Sequence, residues 1–332
     1  MKNLIAAEVL RWLHRWGLWA TVVGGLIAAA LIGLSMTSGV QPPSEEQVAG
    51  ARAEYSRYVV DWEANHQAWY DDCVRLTPAG ADAQAACADT LQRPVESDWI
   101  PQPTRWEDAA RPTALLGAVL GGVLALLLGA SFWGAEFRHG TLATWLTFAP
   151  DRTRVWLAKN LVVLGAGVAA SALVTALFLG IETAAFALWQ GPGSIGDWSV
   201  PLGIALRGLG FGAMAGLMGA SLAILFRNTI AAAAVPAAYV VVGLMFNAFV
   251  LIPGYEALTV WLPETNLQAY LDFGATYWVR GTAEEAIAQG ASGTPRVERT
   301  LSFANGLIYL LTLTGGLALA GLVAFQRRDV TD

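Results

Sequence analysis

Seven ionisable side chains, Glu136, Arg138, His139, Asp151, Arg152, Arg154 and Lys159, crowd the connection "GAEFRHGTLATWLTFAPDRTRVWLAKN" between two long apolar runs. Acids and bases at this density pair with one another, or with the charges of a second protein, through charge-assisted hydrogen bonds. Elsewhere the residues that carry chemistry are sparse. Cys73 and Cys87 are the only cysteines, and in an oxidising compartment they form a disulfide, whereas two unpaired thiols would require a reducing one. Glu182 is the only ionisable residue between 160 and 196, and a carboxylate within a membrane segment is a functional candidate by default.

Several chemistries are missing. The two lysines, Lys2 and Lys159, stand in no G-x-x-x-x-G-K-[ST] loop, so the chain has no Walker A cradle for nucleotide phosphates. The three histidines, His14, His66 and His139, make no H-E-x-x-H pair, two cysteines are too few for a structural zinc site, and no G-x-S-x-G elbow occurs. No catalytic residue, cofactor or metal is therefore expected on this chain, and no nucleic-acid partner.

The elements that must position these residues are membrane helices. Of the 332 residues 55% are hydrophobic and 14% charged, with a mean hydropathy of +0.47, too apolar for an ordinary soluble protein. Uncharged stretches at 16–36, 112–135, 160–181, 208–226, 228–255 and 300–326 each reach the roughly 18 residues that cross a bilayer. The expected fold is an all-α membrane protein of six spans: 17–36, 112–135, 155–188, two within 203–252, and 301–326. The first is expected to stay as an anchor rather than be removed as a signal peptide. Ten of the 20 lysines and arginines gather in the short segments on the side of the termini, which the positive-inside rule makes cytoplasmic. The tail is 327–332.

Residues 1–16 place Ile5, Val9, Trp12, Leu13 and Trp16 on one helical face and Glu8, Arg11 and Arg15 on another, an interfacial amphipathic helix. Residues 37–111 form an external domain. Ser44 and Gln47 make a capping box that starts a helix, on which Tyr55, Val59, Trp62, His66, Trp69, Cys73 and Leu76 build a seam that wants a partner helix. A turn near Gly80 and a returning helix place Cys73 opposite Cys87. External loops follow at 189–202 and 253–300, the second with short interfacial helices. In the fourth span Gly208, Gly212 and Gly216 form a small-residue stripe that suits either packing within the chain or a subunit interface. Glu182, about 33 Å along a helix starting near Asn160, is either a solvated residue near the outer headgroups or part of a transport pathway.

In the opening segment, 136–154, Thr141 caps a short helix with Leu142, Trp145, Leu146 and Ala149 on one side and Thr144 and Thr147 on another. Pro150 ends it, and Asp151 caps the next helix. Physics alone leaves two readings, an ordinary positive-inside loop and a helix that receives force from a cytoplasmic protein. The segment resembles the connection between the second and third spans of type-2 permeases of ATP-binding-cassette exporters. There an acid and a base precede Gly-Thr-Leu, then come a short apolar helix, a proline, a basic residue and a lysine. Glu136, Arg138, Gly140, Thr141, Leu142, Pro150, Arg152 and Lys159 match that pattern, and the amphipathic start, the six-span layout and the terminal "FQRRD" extend it over most of the chain.

The resemblance implies a type V exporter-like fold, with an elbow helix at the N-terminus and a cytoplasmic coupling helix. It implies a second permease copy, two copies of a cytoplasmic ATPase subunit that carry ATP and magnesium, and an amphipathic, drug-like or lipid substrate leaving the cell, while eighteen arginines against two lysines and the abundance of alanine point to a bacterial plasma membrane. Glu136 and Arg138 would hold the elbow of the second span, Thr141 and Pro150 would bound the coupling helix, and Arg152 would meet the ATPase. The long external domain departs from the usual pattern. Two other classes stay open: a membrane anchor presenting that domain to a partner, and an ion-conducting or lipid-modifying protein working without ATP.

Overall fold

The computed structural model describes residues 2–77, 83–148, 150–250, 256–281 and 296–327. About 84% of it is helical, and five helices are long and apolar enough to cross a membrane. The chain is a multi-pass membrane protein. It divides into two compact units, one of Met1–Ser38, Trp106–Val279 and Glu298–Asp332, the other of Gly39–Arg105 and Arg280–Val297.

The first unit begins with α1 (Lys2–Leu13), broken from α2 (Trp16–Met36) at the extended backbone of Arg15. Its other long helices are α6 (Trp106–His139), α8 (Arg152–Trp189), α9 (Ser199–Phe226) and, at the C-terminal end, α12 (Phe303–Arg327). They overrun the expected spans at one or both ends because polar turns continue the helix beyond the hydrocarbon. The expected span at 228–255 is helical over α10 (Thr229–Val250), with an apolar stretch described for Thr229–Gly243 that is shorter than a span. Residues 251–255, the turn at Gly80, Ala149 and the end of the tail lie outside the described residues.

α6, α8 and α9 touch backbone to backbone where glycines meet. A Cβ on Gly129 would stand 2.0 Å from the Gly216 carbonyl oxygen, and one on Gly212 2.5 Å from that of Gly167. The glycine stripe thus faces inward, with Gly208, Gly212 and Gly216 all buried. Close approach of this kind replaces the hydrophobic effect, which is absent between helices in lipid, with dispersion contacts.

The 253–300 region differs from the expectation of helices alone. α11 (Pro263–Leu271) is followed by β1 (Gly274–Arg280), which pairs with β2 (Arg296–Ser302) in a two-stranded sheet. Ala269 of α11 packs with Ala275 and Leu301 of the strands. Phe273 and Gly274 take positive φ, 63° and 151°, to turn the chain from helix to strand.

The second unit is built on α3 (Glu45–Leu76), whose capping box forms as the sequence predicts: Ser44 Oγ accepts from the Gln47 N–H and Gln47 accepts from the Ser44 N–H. α4 (Ala83–Thr90) is tied to it by the Cys73–Cys87 disulfide, with the two Cα atoms 6.0 Å apart. α5 (Glu96–Trp99) lays Trp99 against Tyr55 and Tyr58. None of the α3 residues is fully buried, so the predicted seam is half-covered from Tyr55 to Cys73, while Leu76 is exposed rather than on the seam.

Replacing Gly212 by leucine forces α8 and α9 apart and is expected to cost about 1–3 kcal/mol or more. Thermal melting of the detergent-solubilised protein measures it, with Gly180→Ala, on an open surface, as the control that does not lower the melting temperature.

Candidate functional site

The site gathers where α1, the end of α6 and the start of α8 meet. Part of the apolar face of α1 turns outward, with Val9 39% and Leu13 45% exposed, while Trp12 packs on the core and Glu8 turns inward to 1%. An amphipathic helix at a lipid boundary adopts this orientation, its apolar side toward the acyl chains. Glu8 thereby meets Lys159, in the second turn of α8, and Glu136, one turn before the end of α6.

Lys159 has none of its side chain exposed. Its Nζ donates to Glu136 Oε1 at 2.6 Å and to Glu8 Oε2 at 3.1 Å. Arg11 Nη1 reaches Glu8 Oε1 at 3.4 Å and Glu136 Oε1 at 3.5 Å. Two cations thus share two carboxylates in an alternating knot. Aromatic faces complete the shell: Lys159 Nζ lies 4.2 Å from the Phe132 ring centre, and the Arg11 guanidinium 4.5 Å from that of Trp145. Stripping water from each ion costs several kcal/mol, which the shared ion pairs and ring contacts offset.

α7 (Thr141–Phe148) hangs from this knot. Gly140, at φ +64°, is the left-handed residue that ends α6 and lets the chain reverse into α7 within one residue. Thr141 is the first residue of the helix and not its cap, a correction that follows from how little chain separates the two helices. Leu142 is buried, Trp145 and Leu146 are half-buried, and Thr144 and Thr147 are exposed, which is the expected two-sided helix. Asp151 caps α8, accepting from the Arg154 N–H at 3.0 Å.

Arg138 and Pro150 are exposed. Arg152, expected to meet a partner, donates to the Phe325 and Gln326 carbonyl oxygens at 3.1 and 3.2 Å and so holds the end of α12 to the start of α8. Glu182 is 3% exposed, so the solvated reading does not hold: it occupies the face of α8 on which Phe178 packs against Gly117 and Phe186 against Trp106 of α6. Glu8 and Arg11 were legible as a charged face of α1, but their joining to Glu136 and Lys159 was not, because pairing across 151 residues of sequence leaves no local signal.

Hydrogen-bonding capacity is left over around the knot. Among the described residues, Glu136 Oε2, Asn160 Oδ1 and the indole nitrogens of Trp133, Trp145 and Trp156 are buried without a partner. Such atoms are rare in native interiors and call for a reason.

At the opposite end of α6 a second polar group forms with α9 and the end of α11. Arg111 of α6 grips Asp272 with Nε at 3.0 and 3.1 Å, and Arg207 of α9 donates to the Leu271 carbonyl oxygen at 2.6 Å. The Ser199 N–H and hydroxyl hold the Asp197 carboxyl below the usual range. No group of three or more His, Cys, Asp or Glu is placed to hold a metal among the described residues. Compared with known proteins, the chain matches no family model, no curated protein and no solved structure.

Lys159→Met leaves Glu8 and Glu136 buried with one cation between them, and is expected to lower stability by about 3–5 kcal/mol. Adding Glu136→Gln to that variant recovers part of the loss, a coupling that a double-mutant cycle of melting temperatures measures.

Proposed function

We propose that this chain is the transmembrane permease subunit of an ATP-binding-cassette exporter, working with two copies of a separate ATPase subunit and a second permease copy in a bacterial plasma membrane. The observation that carries the reading is the placement of α7. It is a short two-sided helix slung between two spans, and both spans are clamped by the Lys159–Glu136–Glu8 knot. Six of the eight residues of the resemblance lie on α7 or at its two junctions, and the other two, Glu136 and Lys159, are ion-paired to each other.

On this reading force applied to α7 reaches α6 through Gly140 and α8 through Asp151, and moves them as one body with α1 because the knot forbids their separation. The unpaired polar atoms beside α7 give the second state new bonds to make, as a two-state element biased by a partner requires. Arg152, through α12, carries the motion to the last span. The exposed residues Arg138, Thr144, Thr147, Phe148 and Arg154 form the surface open to the ATPase. Both termini are cytoplasmic, the sixth span completes the bundle, Glu182 belongs to the transport path, and the substrate is an amphipathic, drug-like or lipid molecule.

Charge reversal at exposed Arg138 is expected to abolish copurification of a cytoplasmic ATPase while leaving expression and melting temperature unchanged. Mass spectrometry of the tagged protein from its native cells reads the result, and an ATPase retained at full stoichiometry sinks the coupling role.

A second reading, an anchor presenting the 37–111 domain to an external partner, is favoured by the half-covered aromatic seam of α3. It requires that deleting 44–110 removes all activity and that Arg138→Glu is silent.

A further inference from the structure

Where α1 gives way to α2, a cavity of about 300 Å³ opens beside the knot, lined by Arg11, His14, Arg15, Glu136, His139 and Thr141 as well as Phe132. Its charge is unbalanced. Arg11, Arg15 and Lys159 face only Glu8 and Glu136, and Lys159 and Arg11 already engage both carboxylates.

Arg15 is the surplus cation. Its side chain is half-buried, and burial pushes its pKa down, while Glu136 nearby pulls it up. Among the described residues it makes a single hydrogen bond, from Nη1 to the Phe132 carbonyl oxygen at 3.0 Å, and no carboxylate comes within ion-pairing distance. A guanidinium carries five N–H donors in a planar fork, so most of its donors remain for a ligand. That fork matches the paired oxygens of a phosphate better than any point charge does. The Thr141 hydroxyl and the ring nitrogens of His14 and His139 add donors at the mouth. His14 Nδ1 is engaged by the Leu10 carbonyl oxygen at 2.8 Å, which leaves its Nε2.

The depth of the cavity selects the source of the phosphate. Trp16, 83% exposed, and Trp19, 41% exposed, follow Arg15 directly and begin an apolar span. Tryptophans at the end of a span mark the headgroup layer. Basic pockets between helices at that layer take the headgroups of acidic lipids. We infer that the Arg15 cavity is a binding site for the phosphodiester headgroup of an anionic phospholipid, which supplies the counter-charge missing from the elbow. The inference holds whether or not an ATPase drives the protein.

Native mass spectrometry of the full-length, delipidated protein in mild detergent, titrated separately with phosphatidylglycerol and phosphatidylcholine, tests it. The wild type is expected to retain phosphatidylglycerol preferentially, and Arg15→Gln to lower that preference roughly fivefold. His139→Glu, at an exposed position of the mouth, is expected to lower it too without changing the melting temperature, and it decides the matter should Arg15→Gln fail to fold. Arg154→Gln, on the same side but outside the cavity, should keep the preference. Equal preference in the wild type and His139→Glu overturns the site. Displacement of phosphatidylglycerol by an equal concentration of inorganic phosphate also overturns it, because the ligand would then be a free anion.

Discussion

A lysine with no exposed surface dictates the arrangement around it. In the interior of a helical bundle the ammonium of Lys159 requires opposite charge at contact distance, and α8 itself supplies none nearby: the next acid along it is Glu182, more than six turns away. α6 and α1 must therefore approach closely enough to present Glu136 and Glu8. That demand fixes the rotation of α1, which turns Glu8 in and leaves Val9, Leu10 and Leu13 exposed. Once α1 is placed, Arg11 follows from helical spacing, and Arg15 and α2 follow from the break after Leu13. The connection between α6 and α8 is therefore dense in charge for a structural reason as well as any functional one: part of its charge neutralises the interior, and the rest stays outside.

The glycine contacts between α6, α8 and α9 work alongside this constraint rather than repeating it. Dispersion between close backbones binds the three helices along their length but sets no sharp register, since similar contacts can be made one turn away. An ion pair at 2.6 Å has no such tolerance. The bundle thus combines a nonspecific attraction in its middle with specific polar ties at its two ends, the knot at one and the Arg111–Asp272 and Arg207–Leu271 contacts at the other.

What could be read from the sequence follows from the range of the forces involved. Hydropathy, the Ser44–Gln47 capping box, the Asp151 cap and the Cys73–Cys87 pairing are local or nearly so, and the residues announce them. The two-sided character of α7 was visible for the same reason. The strands were missed although "ATYWVR" is rich in β-branched and aromatic residues, because the surrounding aromatics also fit interfacial helices and the partner strand lies beyond a long connection. Thr141 has the residue type of a cap, but the positive φ of Gly140 ends α6 one residue earlier and makes Thr141 the first residue of α7. The partners of Lys159, the role of Arg152 at the end of α12 and the burial of Glu182 all depend on helices far apart in sequence, and no period or motif reports them.

The burial of Lys159 also sets how this protein meets reagents. With only two lysines in the chain and one of them enclosed by carboxylates and rings, Lys2 on exposed α1 is the sole side-chain amine open to acylation. Amine-directed labels and cross-linkers therefore act, among side chains, at α1 alone, and the appearance of a second modified lysine would signal directly that the knot has opened.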